Sequence, residues 1–229
     1  MSRAVPTPPP VGRGRRRKGE GADLRALILD AAELLFAGHG FYGVTTRQVA
    51  AEAGVDTALI HYYFGTKRGL FDAVFARRAE ILNTERLEAM TAYEAAYPGA
   101  MTVRGVMEAF IGPLIERSLT GEAGWKNYFR LVALVNNTPA WGGETMNRFF
   151  DPVVHELVSV LKRAMPEAEL ADLYWGYQFL TGSMMLALSE TGRIDQLSGG
   201  LCRSRDLEAV RARLFDYCAA GFEAIVKPR

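Results

Sequence analysis

A chain of 229 residues is long enough to bury a core unaided, and its two cysteines, Cys202 and Cys218, fall in no Cys-x-x-Cys or Cys/His spacing, which excludes a disulfide framework and a metal site. No uninterrupted apolar run nears the roughly 18 residues of a membrane span, so the expectation is a cytoplasmic protein with no membrane partner, no metal and no cofactor. The net charge of +1 hides a segregation: six basic and two acidic residues over 1–23, four and four over 24–70, seventeen and twenty over 71–229, the pattern of a chain whose basic end meets a polyanion.

Residues 1–22 hold Pro6, Pro8, Pro9, Pro10 and the run Arg13, Arg15, Arg16, Arg17, Lys18, with almost nothing apolar to bury. The composition predicts a disordered basic arm, either a merely solvated terminus or a nonspecific phosphate-binding one. From Asp23 onward Leu24, Ile28, Ala31 and Leu35 recur at helical spacing and predict a first helix closed by Gly38 and Gly40. Thr45, three residues before Gln48, forms a capping box that starts a second helix, and Gly54 supplies the turn that ends it after Ala53. Asp56 caps a third helix with room for about two turns before Gly65, and Thr66 caps a fourth. That fourth helix is expected from Lys67 to about Tyr97, stopped by Pro98 and Gly99.

Further helices fit 102–118, 123–137, 144–165, 167–191 and 206–226, with Gly121, Pro139, Pro166 and Ser198-Gly199-Gly200 between them. Pro152 is expected to kink or break the helix over 144–165. Neither an alternating strand pattern nor a solenoid repeat is present. The expected fold is all-α: an N-terminal three-helix helix-turn-helix domain over 23–70, then a helical-bundle ligand-binding and dimerisation domain over 71–229.

Two short helices joined by a glycine turn make a helix-turn-helix, which pushes a helix N-terminus into a DNA major groove. Val44, Val49, Ala53, Val55, Ile60 and Phe64 are its apolar contacts, leaving Thr46, Arg47, Thr57, Ala58, His61 and Tyr62 outward. The stretch Gly40-Phe41, Thr45, Val49-Ala50, Ala53-Gly54-Val55, Ile60-His61-Tyr62-Tyr63-Phe64-Gly65-Thr66-Lys67 and Leu70 resembles the N-terminal DNA-binding motif of the TetR family. The resemblance implies a DNA-binding transcriptional repressor. It implies that Thr45 and Lys67, at helix starts, hold phosphate, and that Thr57, Ala58 and Tyr62 face bases or the sugar-phosphate edge. Thr46 and Arg47 belong to the same surface, and the planar fork of Arg47 can reach a guanine. His61 stands where many relatives carry tyrosine. Tyr63 and Phe64 read as packing residues.

The penultimate helix is apolar on two faces, Leu173, Tyr177, Leu180, Met184 and Leu188 along one, Trp175, Phe179 and Leu186 along another. The last helix has one stripe, Leu207, Val210, Leu214, Tyr217, Gly221 and Ile225. The first of those faces and this stripe are the expected interface of a homodimer, which the TetR resemblance also implies and a palindromic operator requires.

The middle helices are rich in soft and aromatic residues, which either fill a core or line an apolar cavity. The candidate lining is Met107, Phe110, Ile111, Leu114, Tyr128, Phe129, Val132, Phe149, Phe150 and Val153, with Trp175 and Phe179 from the penultimate helix. Asn136, Asn137, His155 and Gln178 are the candidate polar groups. The segment from Leu173 through Thr191-Gly192-Arg193-Ile194 to Leu197-Ser198-Gly199-Gly200 resembles the sensor domain of PsrA-like regulators, which implies a fatty-acid-derived ligand, an acyl-CoA or a fatty acid.

His155-Glu156 and scattered carboxylates come with no nucleophile elbow, phosphate loop or metal spacing, so the expectation is not an enzyme. A ligand that prefers one spacing of the DNA-reading heads would change operator affinity by linkage, with the fourth helix as lever. The expected outcome is release from the operator by a small apolar ligand, with ligand activation and no ligand at all as the alternatives.

Overall fold

Local capping chemistry decides where the early helices begin. The computed structural model describes residues 20–138 and 142–226, and among them it contains ten helices and no strand. α1 (Glu20–His39) starts three residues before the expected Asp23, so the end of the segment read as an arm is helical; residues 1–19 and Pro139 lie outside the described residues. α1 turns Ile28, Ala32 and Phe36 inward, in phase with a 3.6-residue period. α2 (Thr46–Glu52) and α3 (Thr57–Phe64) follow as short helices, capped by Thr45 and Asp56. α4 (Lys67–Ala96) is capped by Thr66 and runs about 45 Å at 1.5 Å per residue.

The bundle is built from α5 (Val103–Thr120), α6 (Ala123–Asn136), α7 (Gly142–Ala164), α8 (Leu170–Leu188), a five-residue α9 (Arg193–Leu197) and α10 (Leu207–Ile225). Two features correct the sequence reading. α7 does not break at Pro152 but continues through it, because that residue is exposed and water can satisfy the carbonyl that loses its donor. α9 interrupts the expected loop, entered through Gly192 in the left-handed conformation with φ 72°.

α4 packs on α5, α7 and α1, α10 on α5 and α8, and α1 on α6. One apolar core therefore runs from the helix-turn-helix into the bundle without a break. Its aromatic spine is Phe36 against Phe71 (5.2 Å between ring centres), Phe71 against Phe75 (6.1 Å) and Phe75 against Tyr128 (5.7 Å). Among the described residues no helix is long and apolar enough to cross a membrane.

Candidate nucleic-acid interface and ligand cavity

The turn between α2 and α3 is tight because Gly54 takes φ 64°, a conformation that costs other residues a Cβ clash. Thr45 N donates to Gln48 Oε1 (2.8 Å) and Gln48 N donates to Thr45 Oγ1 (3.2 Å), completing the capping box. Ala58 N donates to Asp56 Oδ1 at 2.7 Å, and Gly69 N to Thr66 Oγ1 at 3.0 Å. Val44, Val49 and Ile60 are buried beneath, while Ala53, Val55 and Phe64 pack at the edge. Both short helices are thereby held as a rigid presenting surface.

On that surface Thr45, Arg47, Ala58, His61 and Tyr62 are exposed, and Thr46, Thr57 and Lys67 are half-buried. Arg47 makes no hydrogen bond or ion pair with a described residue, so its fork is free for a partner. His61 Nδ1 lies 2.9 Å from the Gly65 carbonyl, which can only accept, so Nδ1 carries a proton and donates. Lys67 Nζ sits 4.5 Å over the Phe41 ring, and its partial burial lowers the ammonium below its usual range. Arg25 on α1 stands beside this face, 5.4 Å over the Phe64 ring, a cation absent from the motif reading because its helix carries no motif.

The surface is tied to the bundle by an ion cluster. Glu33 of α1, 3 % exposed, accepts from Arg77 Nη2 at 2.6 Å and from Arg78 Nε and Nη2 at 2.8 and 3.1 Å, while Arg77 Nη1 also reaches Asp30 at 2.6 Å. Arg78 in turn lies 5.0 Å over the Trp125 ring of α6. Nearer the start of α4, Asp72 accepts from Arg68 Nε at 2.9 Å while Arg68 Nη2 donates to Thr145 Oγ1 of α7 at 2.7 Å.

Deeper along α4 the helices leave a small hollow of about 30 Å³, room for one or two waters. Of the residues expected there, Leu114, Tyr128, Phe129, Val132, Asn136 and Phe150 line it. Met107, Phe110, Ile111 and Val153 do not; they are buried elsewhere in the core, where neighbouring helices occupy their faces. Phe149 is also outside, packed on Phe75 at 5.4 Å, with its carbonyl accepting from Asn83 Nδ2 at 2.6 Å. Asn137, His155 and Gln178 are exposed and do not line the hollow.

The structure adds Leu82 and Arg86 from α4, Met146 from α7, and Tyr177, Thr181, Met184 and Met185 from α8. Arg86, 4 % exposed, donates from Nε to the Phe110 carbonyl (3.1 Å) with its guanidinium 3.5 Å over the Phe110 ring. No carboxylate pairs with it among the described residues. Burial pulls its pKa down to about 10, Tyr177 and Tyr128 opposing slightly, so the group stays charged near neutral pH. The Tyr128 hydroxyl and Thr181 Oγ1 are buried without a hydrogen-bond partner among the described residues. Burial raises the Tyr128 phenol far above its usual range, which keeps its proton in place.

The two faces of α8 are assigned the other way round from the sequence reading. Leu173 and Leu180 are buried inside the protomer, and Tyr177 and Met184 face the hollow, so these four are not a free surface. Trp175 and Phe179, expected in the cavity, are 61 % and 59 % exposed and stack on each other. The cause is Gly176: it lies against the Phe222 ring of α10, and a Cβ there would overlap that ring, so this side of α8 must turn inward. On α10, Leu207 and Leu214 are buried, Val210 and Ile225 half-buried, and Tyr217 and Gly221 exposed. Phe179, Tyr217 and Gly221 border an open apolar trough of about 450 Å³, and Leu186 and Leu197 border a second of about 870 Å³.

Comparison with known proteins follows the same division. Residues 28–74 match the family described as bacterial regulatory proteins, tetR family, and residues 108–221 match the tetracyclin repressor-like C-terminal domain. Over 64 residues the chain is 41 % identical to the HTH-type transcriptional regulator HbdR of Aromatoleum sp. (strain CIB), covering 28 % of this chain and 27 % of that protein. The aligned stretch thus spans about a quarter of that relative's length.

Solved structures share the whole fold at low identity. The fatty acid degradation regulator FadR of Bacillus halodurans superposes with a TM-score of 0.63 at 14 % identity, over 90 % of this chain and 98 % of that one. FadR of Bacillus subtilis, solved in complex with stearoyl-CoA, superposes with a TM-score of 0.59 at 15 % identity, over 88 % and 97 %. With a capped helix-turn-helix over one family match and a helical bundle over the other, the chain belongs to the TetR family of transcriptional regulators.

Proposed function

We propose that the chain acts as a homodimeric repressor that reads a palindromic operator through α2 and α3 and is released when an apolar ligand occupies the hollow between α4 and α8. The observation that carries this reading is that one rigid helix serves both sites. α4 begins with Lys67 on the DNA-facing surface and contributes Leu82 and Arg86 to the hollow.

The hollow has room for only one or two waters, so a ligand must push its walls apart. Met146, Met184 and Met185 can give way by rotation, but α4 is also clamped to α1 through Glu33 and Arg77. Movement of α4 then changes where the helix-turn-helix stands. A ligand that favours the spread state lowers operator affinity by the factor by which operator lowers ligand affinity. An acyl ligand suits the apolar walls, and the stearoyl-CoA complex of the Bacillus subtilis FadR, a protein of the same fold, supports that class. The exposed apolar faces of α8 and α10 are the surfaces on which a second copy would close.

The test is selection of bound duplexes from a random-sequence pool, followed by titration of the selected site with acyl compounds. Two-fold symmetric sites whose binding falls with salt, and release by an acyl compound, are expected. Enrichment of asymmetric sites would remove the dimeric reading of DNA, and enrichment of nothing would remove the repressor.

A further inference from the structure

We infer that the ligand of this hollow presents a carboxylate, held by the guanidinium of Arg86 with the hydroxyls of Tyr128 and Thr181. The inference rests on the reading of the hollow as a ligand site and names the chemistry of what enters it.

A guanidinium buried at 4 % exposure is costly unless a carboxylate meets it, and the chain pairs its other deep arginines in that way. Arg77 and Arg78 share Glu33. Arg86 has only the carbonyl and ring of Phe110, which engage Nε and one face and leave the two-nitrogen end of the fork without a hydrogen bond. Around the same hollow, from α6 and α8, stand two lining hydroxyls that are buried without a hydrogen-bond partner among the described residues, those of Tyr128 and Thr181.

Arg86, Tyr128 and Thr181 thus give one hollow three groups able to donate. The fork of Arg86 offers two parallel N–H bonds, the geometry that a carboxylate accepts with both oxygens. A carboxylate has lone pairs to spare, and two hydroxyls fit them. One cation matches one negative charge, so a monoanion is neutralised, whereas a phosphate dianion would bring a second charge into walls made of Leu114, Phe129, Val132 and Phe150. A thioester carries no charge at its acyl end and leaves Arg86 as it stands. The structure therefore favours a free acid with an apolar body over its coenzyme A ester.

The experiment is calorimetric titration of the full-length protein with the straight-chain acids from hexanoate to hexadecanoate, their methyl esters and their coenzyme A thioesters. At least one acid should bind, with its methyl ester and thioester weaker by about 10-fold or more, the loss expected for a buried charge-assisted pair. Arg86→Met keeps the length of the side chain and removes the charge. It should weaken acid binding by about 10- to 100-fold and alter ester binding much less.

Tyr128→Phe removes only the unpartnered oxygen and should weaken acid binding several-fold, so the assignment can be tested even where Arg86→Met fails to fold. An ester or thioester that binds as tightly as the acid, or acid binding unchanged in folded Arg86→Met, overturns the carboxylate site and leaves an apolar ligand standing. Silence from acids, esters and thioesters alike overturns both the carboxylate site and the ligand reading of the hollow.

Discussion

Arg47 and Lys67 carry the same charge on the same surface, yet their surroundings suit them to different work. Lys67 is anchored over Phe41 at the start of α4, a point charge beside free backbone amides, which fits a phosphate. Arg47 is exposed with its fork unoccupied, which fits the edge of a guanine. In a binding assay over several duplexes, Lys67→Ala should weaken every sequence alike and lower the salt slope by about one, while Arg47→Ala should cost about 1–3 kcal/mol and relax one base preference. The roles are reversed if Lys67→Ala changes which sequence is preferred.

At the level of elements, the junction between the DNA-facing helices and the bundle depends on one carboxylate. Glu33 belongs to α1, but both of its partners belong to α4, and Arg78 continues onto Trp125 of α6. Glu33→Ala leaves the Arg78 guanidinium with no carboxylate and Arg77 with the exposed Asp30 alone, and should lower stability by about 3 kcal/mol in denaturant titration. A variant as stable as the parent would mean that water replaces the carboxylate at no cost. In α7 the surroundings explain why Pro152 does not break the helix: a proline does so where its orphaned carbonyl is dry, and here Arg148 and Pro152 are both exposed.

For the whole molecule, the unpaired surface is the outer face of α8 with the neighbouring part of α10. Trp175 and Phe179 expose large rings there, too much apolar area in one place to be left in water. Trp175→Glu with Phe179→Glu should give a folded monomer by light scattering that no longer binds a two-fold site tightly. Leu173→Ala should leave the assembly intact but cost about 2–5 kcal/mol of stability, since Leu173 is core within one protomer. A dimer that survives the double substitution would place the interface elsewhere. Deleting residues 2–19 removes the five-residue basic run, and should lower DNA affinity most at low salt without changing the preferred site. Equal binding at low salt with and without this segment would make it a passive terminus.

What could be read from the sequence alone was whatever is decided within a few residues. The box between Thr45 and Gln48, the left-handed turn at Gly54 and the caps at Asp56 and Thr66 each need only their own neighbours, so the starts of α2, α3 and α4 and the outward face of the helix-turn-helix were legible. The partners of a helix are not local. α8 is apolar on two sides, and periodicity has no means to say which side meets α10; that was settled by Gly176 making room for Phe222.

Arg86 shows the same limit from the other direction. It lies in phase with Ala79, Leu82 and Met90 on a buried stripe of α4, a charge at an apolar position that the sequence displayed but did not explain. Only the packing of five helices turned that misplaced charge into a group lining a hollow beside two unpaired hydroxyls, because burial depends on what neighbouring elements bring to a position and not on the residue itself.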